Sequence, residues 1–238
     1  MDIQILKLFI EIDGRLPASA AEKIRGYLGN LFWDNSYAHQ HDGEGRPIYR
    51  YPKVQYKTLN GGCLLISFDE GREITTKVFN DITSVNIAGD FKEIISKRME
   101  NYSSPFGISD KHLHYSFLTP WLALNEKNYE QYQKLGSWAK KREFLEKILI
   151  GNIISMSKGL GYTVPEPIKA SIINLKEINT SLKGTPMLGF LGTFSINFEI
   201  PDYWGIGKSV SRGFGTVVRQ KTDDRSQTLM SEVRIQIT

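Results

Sequence analysis

With 238 residues, of which 40% are hydrophobic, 24% charged and 11% aromatic, the chain has the composition of an ordinary globular protein, which excludes a disordered or fibrous one. A formal net charge of +4, from 30 basic and 26 acidic residues, leans toward a polyanionic partner without requiring one. No apolar run approaches the ~18 residues of a membrane span, the start MDIQILKLFIEIDG lacks a basic secretory region, and the single cysteine rules out an intrachain disulfide or a thiolate cluster, so cytoplasmic residence is expected.

Residues 3 to 12 alternate so that Leu6, Leu8, Ile10 and Ile12 share one face of a strand. After a break from Gly14 to Pro17, Ile24, Leu28 and Leu31 recur at helical spacing. A polar stretch follows, and then IYRYPKVQYK and CLLISF, separated by Asn60, Gly61 and Gly62, form a hairpin pattern. Cys63 falls in this apolar run and is expected to be a buried strand residue. Ile74, Val78 and Ile82 mark a second helix, and SVNIAG a short strand. The order β-α-β-β-α-β is that of a ferredoxin-like sheet, ending near residue 90.

From residue 91 the plan repeats in modified form. KHLHYSFLTPWLAL is strand-like, a polar helix starts near Glu126, and a longer one runs from Ser137 to about Lys158 with Phe144, Leu145, Ile148, Leu149, Ile153 and Met156 as its buried stripe. IKASIINLKEI and MLGFLGTFSINFEI are strands joined by a turn containing Lys183, Gly184 and Pro186, and FGTVVR is the last core element. The expected class is α+β: two tandem ferredoxin-like domains over 1–90 and 91–220, with a tail over 221–238. In that tail VRIQIT alternates like an edge strand suited to pairing with another chain.

Two stretches carry more chemistry than a core needs. AHQHDGEGRPIYRYPKVQYK, residues 38–57, packs two histidines, three tyrosines and several cations around an acidic turn, which marks a surface loop or a site. YWGIGKSVSRGFGTVV, residues 203–218, sets Gly205, Gly207, Gly213 and Gly215 around Lys208, Ser209, Ser211 and Arg212. Such glycine density lets a backbone bring bare N–H groups to a ligand, and the hydroxyls and cations suit phosphate oxygens. It is not a P-loop, because the glycine spacing before Lys208 and Ser209 is wrong and no helix after a parallel strand is opened.

A duplicated ferredoxin-like plan with a basic, glycine-rich loop just before the last strand of its second copy resembles the RAMP superfamily of CRISPR-associated RNA-binding proteins. With HQHDGEGRPIYRYPKVQYK after the first helix and HYSFLTPWLALNEKNY opening the second domain, residues 1 to about 219 look like that superfamily's repeat-RNA endoribonuclease. The resemblance implies a metal-independent cut in the repeats of the precursor transcript, made by the substrate's own 2′-hydroxyl and leaving 2′,3′-cyclic phosphate and 5′-hydroxyl ends. It also implies a histidine just after the first helix, where His39 and His41 stand. Imidazole, with an unperturbed pKa of about 6.5, can serve as base or acid. His41 is placed first and His39 second: in an extended segment both face the phosphate, otherwise one braces the loop.

Tyr49 is the candidate for orienting phosphate or ribose. Lys53 or Lys57 is the candidate for stabilising charge on the phosphorane, and Gly205, Gly207, Lys208, Ser209, Arg212, Gly213 and Gly215 for holding the RNA backbone. Tyr51 and Tyr56 either stack on bases or pack in the core. His112 and His114 form a second H-x-H pair, so four imidazoles are available for Zn²⁺, but the pairs come from different domains and no carboxylate or thiol recurs with them, so no metal and no cofactor are expected. Lys140, Lys141 and Arg142 beside Trp138 offer either an RNA-facing patch or a solvated helix face. The expected partners are CRISPR repeat RNA, a second copy in a homodimer, or a CRISPR effector complex, and no membrane. The rival function is a non-catalytic RNA-binding subunit of such a complex.

Overall fold

The computed structural model describes residues 1–17, 19–33, 35, 37 and 51–220. His39, His41, Tyr49 and the 221–238 tail lie outside the described residues.

Strand β1 (Asp2–Ile12) is apolar on both faces, which puts it at the centre of the first sheet. Its Leu8, Ile10 and Ile12 pack with Ile24 and Leu28 of helix α1 (Ala20–Leu31) and Ile74 and Val78 of α2 (Gly71–Asp81). Its Ile3 and Ile5 point the other way, as the two-residue period of a strand requires. β2 (Val54–Leu59) and β3 (Gly62–Phe68) make a hairpin whose turn holds Asn60 and Gly61 at φ 52° and 85°, the left-handed pair that matches strand twist. β4 (Ser84–Ile87) turns through Ala88 and Gly89 into β5 (Asp90–Pro105).

The sheet order is β2-β3-β1-β5-β4, all antiparallel. This is the ferredoxin-like order with β5 as the fourth core strand and β4 added at its edge. A first domain ending near residue 90 does not match this: β5 pairs with β1 from Asp2 opposite Pro105 to Ile12 opposite Ile94, so the first sheet extends to Pro105.

The second sheet, β7-β8-β6-β9, repeats the order with β6 (Gly107–Phe117), β7 (Ala170–Leu182), β8 (Thr185–Glu199) and β9 (Val217–Arg219). Between β6 and β7 run α3 (Glu126–Gln133) and α4 (Trp138–Gly159), whose caps Asn125 and Ser137 accept from the amides of Asn128 and Lys140. Between β8 and β9, where the plan calls for a second helix, the glycine segment makes only a 3-10 turn at Val210–Arg212.

One apolar cluster joins the domains. Ile3, Ile5, Leu64, Ile66 and Phe68 of the first sheet pack with Phe106, Tyr115, Phe198 and Trp204 of the second half. Phe68 and Trp204 stack at 4.8 Å between ring centroids, and Tyr51 lies 5.5 Å from Trp204. Phe106 is the pivot between sheets, exchanging two 2.8 Å backbone hydrogen bonds with Met1. Beyond the apolar contact the sheets diverge around a cleft of about 1440 Å³, lined by Phe9, Arg15, Arg98, Tyr203 and Arg219 among others.

Candidate functional site

The glycine segment lies against β2 and α1 of the first domain, and three β2-side residues hold it by its main chain. Tyr51 Oη donates to the Gly205 carbonyl at 2.8 Å. The Gly205 N–H donates to Gln55 Oε1 at 2.9 Å, and the same oxygen accepts from Lys57 Nζ at 2.9 Å. Lys57 Nζ also donates to the Val210 carbonyl at 3.3 Å. Gln55 and Lys57 are both 0% exposed. They sit on the strand face opposite Val54 and Tyr56, which belong to the helix-side core.

Thr119 and Pro120, just after β6, hold the far end of the loop. Thr119 Oγ1 donates to the Gly213 carbonyl at 2.6 Å and accepts from the Thr216 amide at 2.9 Å, and the Gly215 amide donates to Pro120 O at 2.8 Å. The glycines answer to packing as much as to conformation. A Cβ at Gly207 would stand 2.7 Å from Trp121 Nε1, and one at Gly205 2.5 Å from Val210 Cβ. Gly207, Gly213 and Gly215 all have positive φ, and so does Ser209 at 60°, a conformation that costs an L-residue energy and recurs where function demands it.

These contacts redistribute the expected roles. The amides of Gly205, Gly213 and Gly215 are spent on Gln55, Val210 and Pro120, so their N–H groups are not aimed at a ligand. Lys57 has no surface to offer a phosphate: burial pulls its amine down to about 7, and its donors serve Gln55 and Val210. Lys53 is tied to Glu70 and to Asp69, the latter at 3.5 Å, and its ammonium lies 5.4 Å from the Tyr37 ring. What the loop turns outward is the exposed Lys208, with the half-buried Gly207, Ser209 and Arg212.

Arg212 has a cationic neighbour. Arg25 of α1 is buried, and desolvation together with the charge of Arg212 lowers its guanidinium to about 10. Cations brought together at low exposure raise the local potential and favour an anion beside them. Arg25, Gln55 and Thr119 are site residues that residue type alone did not single out. For Gln55 and Lys57 the available signal is two long polar side chains at i and i+2 in a largely apolar hairpin.

Of the remaining candidates, Tyr56 is a core residue at 0% exposure. His112 is exposed on β6 with Nδ1 3.2 Å from Ser195 Oγ, and His114 is half-buried on the same face. Among the described residues no group of three or more His, Cys, Asp or Glu is placed to hold a metal. Lys141 bonds Glu177 at 3.2 Å and lies 4.4 Å from the Tyr132 ring, so the Lys140–Arg142 run is partly committed to its own domain. Cys63 is buried in β3, as its apolar run predicts.

Comparison with known proteins places this architecture. Family models described as the Cas6b N-terminal and C-terminal domains match residues 1–104 and 107–220. A solved Cas6b structure superposes with a TM-score of 0.85 at 39% identity, covering 92% of this chain and 100% of the other. A second, described as the CRISPR RNA processing endoribonuclease Cas6b, superposes with a TM-score of 0.74 at 36% identity and the same coverage. A type IV Cas6 crRNA endonuclease, at 11% identity and a TM-score of 0.62 over 92% of this chain and 100% of its own, shares the fold. An uncharacterised protein of Methanocaldococcus jannaschii is 43% identical over 143 residues, which is 60% of this chain and 97% of that protein. With both domain models matched in order along nearly all the described length, the chain belongs to the Cas6b family.

Proposed function

We propose that this protein is an endoribonuclease that processes CRISPR RNA by cutting within its repeats. Membership of the Cas6b family carries the proposal, supported by the 36% identical structure described as a CRISPR RNA processing endoribonuclease.

The chemistry follows from the residues. His41 and His39 take the proton of the attacking 2′-hydroxyl and return one to the leaving 5′-oxygen, two tasks that imidazole performs near neutral pH. The attack closes a 2′,3′-cyclic phosphate as the P–O5′ bond breaks, leaving a 5′-hydroxyl; no metal is part of this step. Tyr49 orients the phosphate or ribose. Both histidines and Tyr49 lie in the segment that enters Tyr51 and β2, and β2 is the strand to which the glycine segment is bonded.

Lys208, Ser209 and Arg212 bind the RNA backbone, with Arg25 adding positive potential behind Arg212. The interdomain cleft is lined by Arg15, Arg98 and Arg219 beside the rings of Phe9 and Tyr203, with Arg98 paired to Glu100 at 3.4 Å and Arg219 to Glu199 at 3.0 Å, so Arg15 and the two rings are its groups best suited to single-stranded RNA. The test is cleavage and binding of repeat RNA measured separately for His41→Ala. Loss of cleavage by at least ~100-fold with binding retained is the expected result for a general acid–base group. Undiminished cleavage would remove His41 from the mechanism, and binding without cleavage by the unaltered protein would favour the RNA-binding subunit instead.

A further inference from the structure

A buried lysine without a carboxylate partner is costly, and an apolar side chain of similar length fills the same volume at lower cost. Lys57 is fully buried, and its bonds go to a neutral amide oxygen and a main-chain carbonyl. Packing alone does not account for an amine at this position.

Where the bonds go is informative. Tyr51, Gln55 and Lys57 come from seven consecutive positions of one chain segment, residues 51–57. Between them they grip the Gly205 carbonyl, the Gly205 amide and the Val210 carbonyl. Every grip is on main chain, so together they fix the path of the loop before its side chains are considered. Val210 begins the turn that ends at Arg212, and Gly205 lies three positions before Lys208. Even uncharged, an amine keeps two N–H donors, which equals the two acceptors here. The arrangement therefore survives loss of the proton.

We propose that Tyr51, Gln55 and Lys57 form a positioning clamp, which holds the glycine segment in register with the strand that the histidine segment enters and so aligns Lys208 and Arg212 with the reacting phosphate. None of the three touches RNA. The clamp rests on the endoribonuclease function proposed above, and it acts on the alignment of bound substrate, where an error of about 1 Å costs on the order of 100-fold in rate.

The test uses the full chain and its host's repeat RNA. Single-turnover cleavage is measured beside binding of the same RNA carrying a 2′-deoxy at the cut, and beside thermal unfolding, for Lys57→Met, Gln55→Leu and Tyr51→Phe. The clamp predicts that Lys57→Met loses at least about tenfold in cleavage rate, with dissociation constant little changed and melting temperature not lowered. Tyr51→Phe, which keeps the ring stacked near Trp204, loses less but in the same direction. Unaltered rates in Lys57→Met and Tyr51→Phe overturn the clamp, as does a fall in rate matched by equal losses of binding and stability. If Lys57→Met does not fold, Tyr51→Phe decides by the same criteria. No cleavage by the unaltered protein refutes the nuclease function and takes the clamp with it.

Discussion

Gly213 lies directly over the main chain of Tyr56: a Cβ at 213 would stand 3.1 Å from the Tyr56 carbonyl oxygen and 3.0 Å from the Ala21 Cβ. The contact joins the end of the 3-10 turn to both β2 and α1, and Gly213 makes it at φ 90°, where a side chain is strained in any surroundings.

Gly213→Ala therefore meets two costs, conformational and steric, and is expected to destabilise the protein by at least about 2 kcal/mol. Gly184→Ala isolates the first, because φ is 80° but nothing lies within 4 Å of the added Cβ, and its cost should stay near 1 kcal/mol. Chemical denaturation of both variants checks this. Equal losses would mean that the loop does not press on β2 and α1.

Lys57 makes stability depend on pH in a defined direction. Burial lowers its amine from 10.5 to about 7, so between those values the unfolded chain binds a proton that the folded chain does not. Stability contributed at this residue then rises with pH across the window, because the charged form is the one penalised by burial. Lys57→Met removes the dependence. It is expected to exceed the unaltered protein in stability most at pH 7 and below, with the gap closing as pH approaches 10. Unfolding free energies at a series of pH values give the comparison, and a constant gap would contradict the assignment.

Cys63 should be inert in the folded protein. Its thiol is buried in β3 and pushed up to about 12 by desolvation, so almost no thiolate exists at neutral pH and no reagent reaches it. Labelling with a thiol reagent should proceed only at the rate of unfolding and accelerate in denaturant. Rapid stoichiometric labelling under native conditions would show that β3 opens.

Lys208→Ala and Arg212→Ala should each weaken repeat-RNA binding and reduce the slope of log affinity against log salt by about 0.7 to 1, the signature of one lost phosphate contact. Lys53→Ala should leave the slope nearly unchanged, because Lys53 is already paired with Asp69 and Glu70. Binding titrations at several salt concentrations distinguish the two cases.

Much of the fold was legible in period and punctuation: β1, α1, the β2–β3 hairpin, α4 and the β7–β8 pair all follow their apolar spacing. β5 was not. In KEIISKRMENY neither face is continuously apolar: Arg98, Glu100 and Tyr102 oppose Phe9, Lys7 and Ile5, and Lys97, Met99 and Asn101 oppose Ile10, Leu8 and Leu6. A strand whose faces are both half-exposed shows no alternation, and the domain boundary shifts with it.

At the site, the density of glycine identified the loop, but not where its amides point. That depends on Gln55, 150 positions away from Gly205. Lys57 illustrates the same limit, since alternation along β2 gives the face a side chain occupies but not what covers that face.

The most direct measurement is incubation of the purified protein with its host's repeat RNA in excess EDTA, with analysis of the product ends, beside an RNA carrying a 2′-deoxy at the cut site. The account predicts cleavage in EDTA at one position in the repeat, a 2′,3′-cyclic phosphate and a 5′-hydroxyl on the products, and an intact 2′-deoxy RNA. Repeat RNA that is bound yet stays whole, with or without added divalent metal, would contradict it.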